Sequence, residues 1–184
     1  QNNATVGQAL VWTNDLDGNG TTGDTGWKAT SVNITMIAET TDNIGNQLII
    51  GDGSSDVDNA GTIIDFGTAI EVDPSNIYTI ATDGITVSET GIYKVTYRVT
   101  VFMGTNQNNR TGSEYILLVG STPQAGTYSS NYHRNRYVDR TTATMTKIIN
   151  ITGGDKISVR GYRYYGNADI RTKKGGSSLL IEKL

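Results

Sequence analysis

The stretch Ile92–Phe102, IYKVTYRVTVF, constrains the fold more than any other part of the chain. Tyr93, Val95, Tyr97, Val99 and Val101 alternate with Lys94, Thr96, Arg98 and Thr100. Successive side chains of a strand point to opposite faces, so this period of two predicts a strand with one face buried and one wet. Tyr115–Val119 is a short continuous apolar run and predicts a strand covered on both faces. Thr141–Ile151, Lys156–Tyr162 and Ser178–Leu184 read as three further strands. Gly-rich segments at Gly104–Gly112, Gly153–Asp155, Gly166–Asp169 and Gly175–Gly176 separate them as turns. From residue 60 onward no segment carries a helical stripe. Short strands at this spacing predict an all-β sandwich or barrel.

Composition narrows the chemistry. With no cysteine among 184 residues, disulfides, zinc–thiolate sites and thiol nucleophiles are excluded together, and the compartment stays open. No run of 18 apolar residues is present to cross a membrane as a helix. No basic-then-apolar leader is visible at the front, and Gln1 in place of Met reads as a processed terminus or a fragment start. The net charge of −3 is unevenly laid out: residues 1–90 hold 13 acidic groups against one basic, and residues 91–184 hold 14 basic against 5 acidic. That split reads either as two solvated faces or as a basic distal surface that attracts an anionic partner such as an acidic glycan. The acidic overall balance and the lack of a basic–aromatic motif argue against nucleic acid.

The N-terminal part is different in character. Its first thirty residues are polar and Gly-rich, punctuated by Trp12 and Trp27, and two apolar patches follow at Val32–Ile37 and Leu48–Ile50. The acidic, turn-rich Gly51–Asn59 is the expected boundary, dividing the chain into an extension or attachment segment, 1–59, and a main domain, 60–184.

The order of motifs within 60–184 resembles the tumour necrosis factor and complement one-q globular-head superfamily. Tyr78–Val101 resembles that family's short strand, Gly, loop ending in Gly, and Tyr-led alternating strand. Tyr115–Gly120 resembles the strand that closes on a tight turn. Ile149–Val159 resembles the apolar strand, Gly-Asp turn and next strand, and Ser177–Leu184 resembles the closing strand. Leu179 and Ile181 depart from the family's usual aromatics and Gly there. The resemblance implies a ten-strand jelly-roll sandwich that assembles as a homotrimer, with loops free at its outer end. A sheet face carrying Tyr, Val and Ile also needs a cover. Val6–Trp12, the Gly/Asp-rich loop after it and Trp27 resemble segments of bacteriophage fibres and bacterial surface proteins that precede an adhesive knob.

Three groups of residues are candidates for chemistry. Asp15, Asp17 and Asn19, with Gly20 at the sharp turn and Asp24 as a substitute for the missing twelfth-position Glu, follow the opening of a calcium loop. A solvated Asx-turn loop is the alternative there. Asp52, Asp56 and Asp58 form a second acidic cluster that reads as linker, although some relatives hold calcium near the trimer axis. Tyr132, His133, Arg134, Arg136 and Tyr137, with Arg163 and Tyr164, combine the residue types that dominate binding hot spots. Their alternative reading is tyrosines in the core or the trimer seam, with solvated arginines. Catalysis is not expected. His133 is the sole histidine, and no nucleophile elbow, P-loop or dinucleotide fingerprint is present. No cofactor is required, and calcium is the one candidate ion.

The expected function is a trimeric fibre or knob of a virion, of bacteriophage type, for host-surface attachment or capsid decoration at the virion surface. Its N-terminal segment would contact other fibre, tail or capsid subunits, and its loops a host glycan. A secreted or surface-displayed bacterial adhesin or matrix protein with the same head is the alternative, and a carbohydrate-cleaving enzyme a third.

Overall fold

The computed structural model describes residues 8–13, 26–31, 37–42, 44–51, 61–72, 76–104, 110–134 and 140–184. The described residues are strands, turns and irregular segments without a helix. They divide into two compact units, Gln1–Met36 and Ile37–Leu184. The first unit holds an antiparallel hairpin of β1 (Gln8–Thr13) and β2 (Gly26–Ser31), whose register sets Trp12 opposite Trp27.

The second unit is a sandwich of two seven-stranded sheets. In chain order its strands are β3 (Ile37–Asp42), β4 (Leu48–Ile49), β5 (Thr62–Ile63), β6 (Gly67–Val72), β7 (Tyr78–Ala81), β8 (Gly84–Val87) and β9 (Gly91–Met103). There follow β10 (Thr111–Val119), β11 (Thr122–Pro123), β12 (Ser129–His133), β13 (Thr141–Ile151), β14 (Lys156–Tyr165), β15 (Ile170–Thr172) and β16 (Ser178–Lys183). The first sheet runs β4-β15-β9-β16-β3-β6 with β13 on the other edge of β9. The second runs β11-β10-β14-β8-β7, with β12 on β10 and β5 on β14. Of these strands ten are four residues or longer, in line with a ten-strand jelly roll.

The sequence boundary at 59/60 is corrected by this topology. Ile37–Asp42 pairs along β16 on one side and β6 on the other, and Ile49 pairs with Ile170 of β15. Removing residues 37–51 would strip the closing strand of a neighbour, so the division falls between Met36 and Ile37. The Gly51–Asn59 linker lies, apart from Gly51, outside the described residues.

The inward column of β9 is Tyr93, Val95, Tyr97, Val99 and Val101, all buried against the second sheet. Tyr115, Ile116, Leu117 and Leu118 are all buried, as expected of a strand covered twice. Ile116 and Leu118 face away from the main core and pack with Tyr162, Ile63 and Tyr164. Tyrosines in a core need partners for their hydroxyls. The Tyr97 hydroxyl lies 2.5 Å from the Thr127 carbonyl, 3.1 Å from the Tyr115 carbonyl and 3.0 Å from Ser129 Oγ, all on the second sheet's side. The Tyr93 hydroxyl donates to the Glu89 carbonyl at 2.6 Å, and the Tyr115 hydroxyl lies 2.7 Å from Ser113 Oγ. Each bond removes the cost of a buried polar group left alone.

At the end of β3, Asp42 is buried and fixes the following turn. Its Oδ1 accepts from the Ile44 amide at 3.0 Å and the Gly45 amide at 2.6 Å. Gly45 sits at φ +69°, and a Cβ there would lie 2.5 Å from the Lys174 amide nitrogen, so the turn admits no side chain.

Burial pushes the Tyr97 phenol up to about 12, against the opposing hydrogen bond from Ser129, and burial also raises that of Tyr115. A phenol whose folded value exceeds the unfolded value of about 10 binds more protons in the native state through that interval. The stability tied to Tyr97 is therefore fully present below about pH 10 and is lost as pH rises towards about 12. Urea unfolding across the alkaline range should show this decline. Tyr97→Phe should flatten part of it and lower stability at neutral pH by about 1–3 kcal/mol. Stability independent of pH through that range would contradict the buried-phenol assignment.

Candidate functional site

Alternation decides which of the sequence candidates share a surface. Along β12, Tyr132 points outward and is 45% exposed, while its neighbour His133 points inward and is fully buried. The His133 Nε2 lies 2.9 Å from Thr141 Oγ1, tying β12 to β13. His133 is thus a core residue and is removed from the ligand surface, because adjacent strand residues cannot face the same side.

The same rule corrects Arg163. On β14, its guanidinium is turned inward as a clamp: Nη2 donates to the Gly51 carbonyl and Nη1 to the Ala168 carbonyl at 3.3 Å. Its Nε is buried without a partner among the described residues. Arg163 thus ties Gly51 and Ala168 to β14. Arg136 and Tyr137 lie outside the described residues, as do Asp15, Asp17, Asn19 and Asp24 and the Asp52, Asp56, Asp58 cluster. Among the described residues no three His, Cys, Asp or Glu side chains come together as a metal site.

What the structure does bring together is a set of tyrosines around Gly112. The register places Gly112 opposite Tyr132 on β12 and opposite Tyr165 on β14. Between Gly112 and Glu114 the pairing with β14 shifts, Glu114 lying opposite Tyr162. Such an irregularity re-aims the side chains next to it. The rings of Tyr132 and Tyr165 then meet with centroids 6.3 Å apart and planes tilted by 34°. Tyr165 was not singled out in the sequence as a site residue, although it ends the YRYY run; it is 48% exposed.

Tyr164, half-buried, lies against the strand itself. A Cβ on Gly112 would stand 2.7 Å from its Cζ and 2.8 Å from its hydroxyl oxygen, so the ring occupies the space a side chain would need. Burial raises the Tyr164 phenol, and the Glu114 carboxylate and Tyr132 push it in the same direction. Arg134, two residues after Tyr132, is exposed one residue beyond β12.

Tyr132, Tyr164 and Arg134 are therefore the sequence candidates that reach one region, and Tyr165 joins them. The arrangement offers ring faces, phenol donors and a guanidinium. Among the described residues it sets no nucleophile beside a base.

Against known proteins, no protein-family model matches the chain, and no curated protein matches it. Solved structures do. Eiger TNF from S. frugiperda matches with a TM-score of 0.53 at 14% identity, over 82% of this chain and 92% of that one. Murine APRIL at pH 5.0 matches with a TM-score of 0.51 at 12% identity, over 82% of this chain and 100% of that one. The chain thus has a tumour-necrosis-factor-like jelly-roll fold.

The glycine between the rings yields a test. Gly112→Ala should displace the Tyr164 ring, a flexible side chain, and leave the strand intact. The Tyr164 phenol, followed by NMR of labelled tyrosine, should then titrate lower, towards the ordinary value of about 10. An unchanged titration would show that the ring does not depend on the missing side chain.

Proposed function

We propose that the chain is a non-enzymatic, homotrimeric attachment head of a virion, a fibre or knob of bacteriophage type, that fixes the particle to a host surface. The observation that carries this reading is an uncovered apolar patch on the outer face of the first sheet. Ile92 is 54% exposed, and Ile148 and Leu184 are 61% exposed. Register puts them on one face: Ile92 lies opposite Asn150, Ile148 opposite Lys94, and the Leu184 amide bonds the Ile92 carbonyl at 2.9 Å. Thr96 and Thr146, whose hydroxyls are 2.9 Å apart, continue that face.

The Tyr and Val column of β9 faces inward, so the cover this face calls for is a cover over isoleucine, leucine and threonine beside the Lys94–Glu182 ion pair. A second and third copy supply it, since large exposed apolar side chains grouped on one face favour association.

The strand directions support attachment from one end and contact at the other. Ile37 pairs with Glu182, and Glu182 with Lys94, so the sandwich begins at the same end as the chain terminus at Leu184. Thr141 pairs with Val101 and bonds His133, so the tyrosine cluster lies towards the opposite end. Three equal sites on one head turn weak contacts into durable adhesion through effective concentration. The segment before Ile37 supplies contacts to other fibre, tail or capsid subunits in this reading.

The test is immunogold labelling of purified particles with antibody against the chain, paired with adsorption assays in which free chain competes. Gold at fibre tips or on the capsid, with adsorption reduced by the free chain, is expected. Particles without label, with the chain instead on the bacterial surface, would replace the virion reading with that of a cellular adhesin.

A further inference from the structure

We infer that the end of the sandwich formed by Arg110, Arg134 and Arg140, together with the Tyr132–Tyr165 ring pair, binds an anionic sugar chain bearing carboxylate or sulfate groups. This rests on the reading of the chain as an attachment head and names what the head would hold.

The three arginines converge through backbone pairing. Arg110 precedes Thr111, whose register partner is His133, and Arg134 follows His133. Arg140 precedes Thr141, whose hydroxyl lies 2.9 Å from the His133 ring. Thr111 Oγ1 donates to the Tyr165 carbonyl at 2.9 Å, which ties the ring pair to the same corner. Buried His133 thus joins the strand ends that carry the three basic positions. All three arginines are exposed. The ion pairs among the described residues use other cations: Lys94, Lys156, Arg171 and Lys183. Among the described residues, therefore, no carboxylate neutralises Arg110, Arg134 or Arg140.

The chemistry of that corner selects a ligand. Guanidinium forks match carboxylate and sulfate oxygens through paired, charge-assisted hydrogen bonds. A tyrosine face offers an apolar plate for the C–H face of a pyranose ring, and its hydroxyl bonds sugar hydroxyls. A ligand with spaced negative charges and ring faces between them satisfies both elements. Single-stranded nucleic acid would call for a basic groove that follows its backbone over several nucleotides.

The experiment measures binding of the full chain to immobilised polygalacturonate, which carries carboxylates, and heparin, which carries sulfates. Neutral dextran, single-stranded DNA and phosphatidylserine vesicles complete the set. At least one acidic polysaccharide should bind, weaken with added salt, and exceed dextran, DNA and vesicles. Arg134→Gln should weaken it about tenfold, Tyr132→Ala should also weaken it, and the variant with Arg110, Arg134 and Arg140 all changed to Gln should abolish it. Lys156→Gln, at the opposite end of β14, should bind like the parent.

Circular dichroism checks the fold of the triple variant; if that variant unfolds, the single changes decide. Binding of neither acidic polysaccharide, parent-like binding by the arginine variants, or equal capture of DNA or vesicles would overturn the assignment. Light-scattering mass measured on the same samples keeps the two readings apart. A trimer that holds no acidic sugar fails this inference alone, and a monomer that holds it fails the trimer alone.

Discussion

A tyrosine hydroxyl in a protein interior must meet an acceptor, and the Tyr97 phenol meets its acceptors across the sandwich. The ring belongs to the central strand of the first sheet, while the oxygens around it belong to Tyr115, Thr127 and Ser129 on the side of the second. One side chain thus supplies apolar packing and a polar link between the layers. Losing the link would take a donor away from the Thr127 carbonyl, at a cost of about 1–3 kcal/mol. The rest of the arrangement follows from holding β9 in that orientation. With Tyr93, Val95, Tyr97, Val99 and Val101 turned in, the alternate residues turn out, and with them the paired residues of β13 and β16. A slip of one residue would bury Lys94 and Arg98 and expose the tyrosines, so the register is strongly specified.

The same period of two sorts the functional side chains. It sends His133 into the core and Tyr132 out, and it turns Arg163 inward onto carbonyls while Tyr164 lies against Gly112. Two outward surfaces result, separated along the strands. One is a sheet face near Leu184 where isoleucine, leucine and threonine stand beside the Lys94–Glu182 ion pair. The other is a corner of arginines and tyrosines at the far end. Their chemistries differ in kind, one suited to burial against another protein surface and one to a charged, hydroxyl-rich ligand.

Much of this was legible in the sequence because it rests on local pattern. The strands at 91–103, 111–119, 141–151, 156–165 and 178–183 fall where alternation, apolar runs and Gly turns place them, with ends shifted by a few residues. The boundary at Gly51–Asn59 failed because Ile37–Asp42 is a strand only by virtue of partners far away in sequence, β16 and β6, which no local signal reveals. Grouping Tyr132 with His133 failed for a different reason. Composition alone puts Tyr132 and His133 on one surface, whereas a strand through them divides neighbours between two faces. Tyr165 could have been found, since it ends the YRYY run, but its contact with Tyr132 depends on the pairing of β12 and β14 to either side of Gly112.

The central claim is that the outer face of β9, β13 and β16 is covered by further copies of the chain. It is tested most directly by the solution mass of the full chain and of its Ile148→Glu variant, measured by light scattering. Ile148 is 61% exposed, so the substitution should leave a single sandwich folded while placing a charge in the covered face. The account predicts three times the 19.8 kDa chain mass for the parent and a shift towards the single-chain mass for the variant. A parent that scatters as one chain, or a variant that remains a trimer, would contradict it.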